Sequence, residues 1–228
     1  MGTIVAIGGG ELGRPGTKRE TIPIDKHILE LSVRKHPRLL FIPTASNDSQ
    51  AYIDVIQSYF GKYLGCRIDT LRLTQKPSEK TIESKIDSAD VIYVGGGNTK
   101  KMIKIWREYN MQFHLRNAYD NGTILSGVSA GAVCWFSFAN SDSLKHITGD
   151  YCRIKGLGFV KGLACPHMVR EPDRLPSFKK MVKQYGGIGY AIDDCAAVVF
   201  TDGKTYAINS KKNASVFIYT KSGKINRI

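Results

Sequence analysis

One serine in this chain stands where a side chain can be turned into a nucleophile. Gly127-Val128-Ser129-Ala130-Gly131 follows the apolar run Thr123 to Leu125 and precedes the apolar stretch Ala132 to Phe136. A G-x-S-x-G turn between a strand and a helix holds its serine in a strained elbow, with small flanking residues that let neighbouring backbones come close. The hydroxyl then lies at a helix amino terminus, where backbone N–H groups and a partial positive charge favour an alkoxide and the oxyanion it makes. Such a serine needs a base, and the chain has five histidines. His27, His36 and His114 fall in or beside helical patterns with charged neighbours and read as surface residues; His146 follows Lys145 in a polar loop. His167 differs, because in Leu163-Ala164-Cys165-Pro166-His167 a proline ends a short apolar run and leaves the imidazole at a strand end. A carboxylate should orient that imidazole. Asp142 fits the order serine, acid, histidine of the α/β hydrolases, with Asp150 and Glu171 as rivals.

Two glycine loops flank this arrangement. Gly8 to Gly13 (GGGELG) matches G-x-G-x-x-G after a strand, but Arg14, Pro15 and Gly16 follow where a dinucleotide fold opens directly into a helix. The acidic residue expected after the second strand is replaced by Pro43-Thr44-Ala45-Ser46, so no nicotinamide cofactor is expected. The glycines after Val91 to Val94 let backbone approach a substrate carbonyl without an intervening Cβ. The five cysteines include no C-x-x-C pair and no metal-ligand spacing, so reduced thiols in a cytoplasm and no metal are the expectation.

These groups must be carried by a scaffold, and the hydrophobic pattern supplies one. Short Val- and Ile-rich runs at Thr3 to Ile7, Arg38 to Pro43, Arg67 to Leu73, Val91 to Val94 and Thr123 to Gly127 alternate with helical stripes, the form of repeated βαβ units and a mostly parallel sheet. Thr21, Ser49 or Asp48, and Ser78 are candidate helix caps, and Met102, Ile105, Trp106, Tyr109 and Phe113 make a further stripe of core type. Beyond about residue 187, short strands around Asp-Gly and Ser-Gly turns read as antiparallel hairpins that extend or cap that sheet. With 228 residues, 42% of them hydrophobic and 23% charged, one folded domain over 1–228 is expected, and disordered and collagen-like classes are excluded. No apolar run approaches the roughly 18 to 20 residues that span a bilayer, and no membrane partner is expected. The formal charge of +13 is dispersed, with its densest clusters at Lys100 to Arg107 and in the carboxy-terminal tail, so a solvated basic surface is favoured over a nucleic-acid site.

Taken together, IPTASND at Ile42 to Asp48, VGGGNT at Val94 to Thr99, GVSAGAVCWF at Gly127 to Phe136, NSDS at Asn140 to Ser143 and PHMVREPDR at Pro166 to Arg174 resemble the peptidase E family of serine peptidases. That family includes aspartyl dipeptidases and, more distantly, cyanophycinases. The resemblance implies a flavodoxin-like α/β sheet related to class I glutamine amidotransferases, with helices on both faces. It implies Ser129 as nucleophile, His167 as base, and Asp142 as the acid, with Glu171 as the alternative because cyanophycinase-like relatives use Glu. The oxyanion hole would pair the Ala130 N–H with that of Gly97 or Gly96. Asn98, Arg170 and Arg174 are the substrate-binding candidates, the arginines for the side chain of an N-terminal Asp. The implied substrate is a small peptide, with no cofactor; exposed sheet edges leave room for a homodimer. Two other readings use the same fold: a non-catalytic ligand- or nucleic-acid-binding module, for which the Lys100 to Arg107 face speaks, and an esterase or amidase of non-peptide substrates.

Overall fold

Strands with no polar face need cover on both sides, and four of the first five strands obtain it, the exception being the edge strand with Arg67 and Asp69 exposed. The computed structural model describes residues 2–185 and 187–228. In it β1 (Ile4–Ile7), β2 (Arg38–Ile42), β3 (Arg67–Thr70), β4 (Val91–Val94) and β5 (Ile124–Val128) pair in parallel in the order β1-β5-β4-β2-β3. The helices between them are α1 (Ile22–Leu31), α2 (Gln50–Ile56), α3 (Glu79–Asp87), α4 (Thr99–Glu108) and α5 (Met111–Asp120). Ser49, Ser78 and Asn98 cap α2, α3 and α4 by accepting the N–H groups of Tyr52, Thr81 and Lys101. Asn110, in the left-handed region, breaks the last helical stripe in two, which leaves Phe113 largely exposed. The mostly parallel, flavodoxin-like α/β sheet expected from the sequence is the one found.

Further along come α6 (Ala130–Val133), β6 (Phe136–Ser141), α7 (Lys145–Thr148), β7 (Cys152–Lys155), β8 (Val160–Cys165), α8 (Arg174–Tyr185), β9 (Ile188–Ile192), β10 (Ala196–Thr201), β11 (Lys204–Asn209), β12 (Val216–Thr220) and β13 (Ile225–Arg227). The hairpin β10-β11 extends the first sheet through antiparallel pairing of β10 with β1, as the Asp-Gly turn signal led us to expect. A second sheet, β13-β12-β9-β8-β6-β7, was not expected. Its origin lies in the short α6: four residues after Ser129 the chain leaves the helix, so Phe136 and the residues after it run as strand β6.

Three apolar layers bind these elements. Ile4, Ala6, Leu40 and Val94 of the first sheet share one core with Ala139, Ile154, Tyr190 and Val216 of the second and with Trp106 and Leu115 of α4 and α5. On the opposite face of the first sheet, Val5, Ile7, Phe41 and Tyr93 pack on Ile24, Ile28, Ile53 and Phe60. The outer face of the second sheet is covered by Phe178 and Val182 of α8. His114, expected at the surface, is buried in α5. Among the described residues no helix is long and apolar enough to cross a membrane.

One buried charge-bearing group makes stability depend on pH. Asp25 of α1 is fully buried; its Oδ2 accepts the hydroxyls of Thr21 at 2.6 Å and Tyr59 at 2.7 Å, while Oδ1 has no partner. Burial disfavours the carboxylate and pushes this acid up to about 7, against the opposing effect of the two hydroxyls. The neutral acid is therefore the folded form, and its contribution is complete below about pH 4 and lost as the pH rises through about 7. Denaturant midpoints should fall between these limits, and Asp25→Asn should flatten that part of the profile; an unchanged slope in the variant would contradict the assignment.

Candidate active site

The carboxyl ends of β1, β2, β4 and β5 open on one cleft, of about 560 Å³. Its floor comes from the loops after β1 (Gly9 to Arg14), β2 (Ser46 to Tyr52), β4 (Gly96 and Gly97) and β5 (Ser129). This is the crevice at which open α/β sheets place their ligands. Ser129 sits in it at φ 55° and ψ −113°, a conformation that a side chain adopts only under constraint. The flanking glycines supply the constraint. A Cβ on Gly127 would lie 2.4 Å from the Gly131 carbonyl oxygen, and one on Gly131 would lie 2.1 Å from that of Val94, so no larger residue fits either position.

His167 meets this serine from the end of β8. Ser129 Oγ and His167 Nε2 are 2.8 Å apart, and His167 Nδ1 lies 2.6 Å from Asp194 Oδ1. A proton on Nδ1 satisfies both contacts: Nδ1–H donates to the carboxylate, and Nε2 accepts from the serine. Asp194 follows β9, and its turn is fixed by the Cys195 N–H donating to the Gly9 carbonyl at 2.9 Å. Gly9 explains the first glycine loop. A Cβ there would fall 1.7 Å from Asp194 Oδ1 and 2.5 Å from His167 Nδ1, so the loop is glycine to make room for the His–Asp pair, not to receive a pyrophosphate.

The amides around Ser129 are placed for an oxyanion. Gly96 lies alongside, where a Cβ would be 3.4 Å from that of Ser129, and its N–H is held weakly by the Tyr52 hydroxyl at 3.4 Å. A Cβ on Gly97 would fall 2.2 Å from the Ala45 carbonyl oxygen, and its φ of 140° is a backbone that favours glycine. The Gly97 and Ala130 N–H groups have no hydrogen-bond partner among the described residues. Because α6 has only four residues, the support for negative charge at Ser129 is these individual N–H groups rather than the dipole of a long helix.

Several expected site residues lie elsewhere. Asp142 does not reach His167: it is about half exposed and pairs with Arg174 at 3.5 Å, because β6, which it follows, lies on the other side of β8 from β9, the strand that delivers Asp194. Glu171 also faces Arg174, at 3.3 Å, and accepts from the Tyr151 hydroxyl at 3.2 Å. Asp150 accepts the Tyr151 N–H. Arg174 is buried beneath these acids and donates to the Pro166 carbonyl at 3.1 Å, so it braces the loop that bears His167 instead of facing substrate. Asn98 caps α4 and donates to the Ser143 carbonyl. Arg170 does line the cleft, beside His167. Among the described residues no group of three or more His, Cys, Asp or Glu is placed to hold a metal.

Comparison with known proteins identifies the family. The family model described as Peptidase family S51 matches residues 4–208. The chain belongs to peptidase family S51. An uncharacterized peptidase of Bacillus subtilis (strain 168), YgaJ, is 37% identical over 219 residues, which cover 95% of this chain and 91% of that protein. Peptidase E of Nostoc sp. is 33% identical over 109 residues, 47% of this chain and 41% of that one. Two solved structures share the fold: a peptidase from an acI-B1 actinobacterium at TM-score 0.77 and 20% identity, covering 100% of this chain and 93% of that one, and a putative peptidase E protein from Listeria monocytogenes EGD-e at TM-score 0.69 and 19% identity, covering 92% and 98%. The S51 chain thus carries the peptidase fold its motifs resemble. The residue that sequence reasoning missed is Asp194. Its signal was present in Ile192-Asp193-Asp194, where two acids end a short apolar strand, but the turn-like context pointed to a hairpin.

Proposed function

We propose that this S51 chain is a serine peptidase that cleaves short peptides through an acyl-enzyme, with Ser129 as nucleophile, His167 as base and Asp194 as the carboxylate. The observation that carries the reading is the pair of contacts at His167, 2.8 Å to the serine and 2.6 Å to the acid, at a strained strand end. His167 Nε2 takes the Ser129 proton as Oγ attacks the scissile carbonyl, and Asp194 stabilises the imidazolium. The Gly97 and Ala130 amides receive the oxyanion. The imidazolium then protonates the leaving amine, and water, activated by the same His167, hydrolyses the ester. A pre-steady-state burst with an activated ester, equal to the enzyme present, tests the acyl-enzyme; steady release from time zero with no trapped adduct would contradict it. The five cysteines are free thiols, four of them buried, which suits a reducing compartment such as the cytoplasm.

Arg170 supports action at a chain end. It is exposed, and it lines both this cleft and the neighbouring hollow of Asp193, Asp194 and Glu20. The leaving amine must lie at His167, so a carboxylate facing Arg170 is that of the leaving residue. Such a site suits a dipeptidase or small-peptide exopeptidase. The side chain of an N-terminal Asp has less support, since Arg174 is buried and Arg14 is held by Glu11. Arg170→Gln should raise KM about tenfold for peptides with a free C-terminal carboxylate, the loss of one charge-assisted contact, and leave their amides unaffected. Equal losses on acid and amide would contradict the role.

A further inference from the structure

The part of the cleft lining formed by the loop after β1 and by α2 has a chemistry of its own. Leu12 and Pro15 come from the loop after β1, and Ala51, Tyr52 and Val55 from α2. The Tyr52 hydroxyl reaches the Gly96 amide, and Gly96 packs beside Ser129, so this apolar wall begins next to the nucleophile. Its charged neighbours neutralise one another. Arg14 Nε donates to Glu11 Oε2 at 2.8 Å, and a second guanidinium nitrogen donates to Glu11 Oε1. The two hydroxyls on this side are also engaged: Ser46 donates to the Pro43 carbonyl, and Ser49 caps α2. A side chain placed here meets hydrocarbon and a phenol ring, with no uncommitted charge to answer its own.

We propose that this wall is the pocket for the residue on the acyl side of the scissile bond, and that it selects a large apolar side chain such as Leu, Met or Phe. The proposal rests on the acyl-enzyme reading above, which directs the leaving amine toward His167 and Arg170 and the acyl substituent the other way. An Asp in this position would lose the hydration of its carboxylate and gain no partner, whereas an apolar side chain exchanges water for contact. Ala51 is exposed on α2, so a change there alters the pocket without disturbing the core, whereas Val55 is half-buried and packs partly on the core beneath α2.

The test is kcat/KM for Leu-Ala, Met-Ala, Phe-Ala, Asp-Ala and Lys-Ala with wild type, Val55→Arg and Ala51→Arg, each protein first labelled in parallel with a small fluorophosphonate. We expect Leu-, Met- or Phe-Ala to exceed Asp-Ala by about 100-fold or more in wild type. Either arginine should cut the apolar substrates at least about tenfold and raise Asp-Ala. Labelling at Ser129 with any other ranking, or with no cleavage of the apolar dipeptides, overturns the pocket assignment and leaves the serine-hydrolase reading in place. No labelling in any of the proteins overturns both.

Discussion

Ser129→Ala is expected to abolish peptide hydrolysis while the protein remains folded. Every bond-making step passes through Oγ, and loss of a serine nucleophile in a cooperating triad costs on the order of 10⁶ in kcat, with the remainder supplied by binding and the oxyanion site. The fold should not notice. The Ser129 side chain makes one hydrogen bond, to His167 Nε2, whereas its backbone is held by the Ile7 carbonyl and by the packing of Gly127 on Gly131. Far-UV circular dichroism and the thermal midpoint should therefore match wild type. Retained turnover in a folded Ser129→Ala protein would remove the acyl-enzyme from the account.

The second large effect separates two aspartates. Asp194→Asn should lower kcat by about 10⁴, because the amide no longer fixes the Nδ1–H tautomer or stabilises the imidazolium. Asp142→Asn should stay within a few-fold of wild type in kcat. Its carboxylate is about half exposed and touches Arg174, which is also held by Pro166 and Glu171, so the expected consequence is a modest loss of stability through the loop behind His167. The reverse order, with Asp142→Asn inactive and Asp194→Asn active, would mean that the catalytic loops adopt another arrangement during turnover.

The parts of this molecule that were legible before its structure are those governed by local rules. Strands β1, β2, β4 and β5 could be read because burial on both faces demands short, mostly apolar runs, and each stops where Gly, Pro or polar residues begin; the edge strand β3, with Arg67 and Asp69 exposed, was legible only from its place in the alternation. The elbow could be read because close backbone approach at Gly127 and Gly131 admits no other residue. The second sheet was hidden for a physical reason. Its strands β6 and β8 are parallel neighbours whose pairing is set by distant packing on α8 and on the first sheet, and nothing within Phe136 to Ser141 separates a buried strand from a continued helix. The acid was hidden likewise. Chain order favoured Asp142, but β9 runs beside β8 and so brings Asp194 to His167 across 27 residues, while Gly9 clears the space for both. Arg174 misled because a charged side chain reads as exposed until its acids and the Pro166 carbonyl are seen around it.

The central claim is that Ser129 is an activated nucleophile. Intact-mass analysis after a small sulfonyl fluoride, with peptide mapping of the product, tests it on wild type, Ser129→Ala and Asp194→Asn. The account predicts one adduct per wild-type chain, located on Ser129, none on Ser129→Ala, and much slower labelling of Asp194→Asn. An adduct of equal yield on Ser129→Ala, or none on wild type with this and a second small acylating probe, would contradict it.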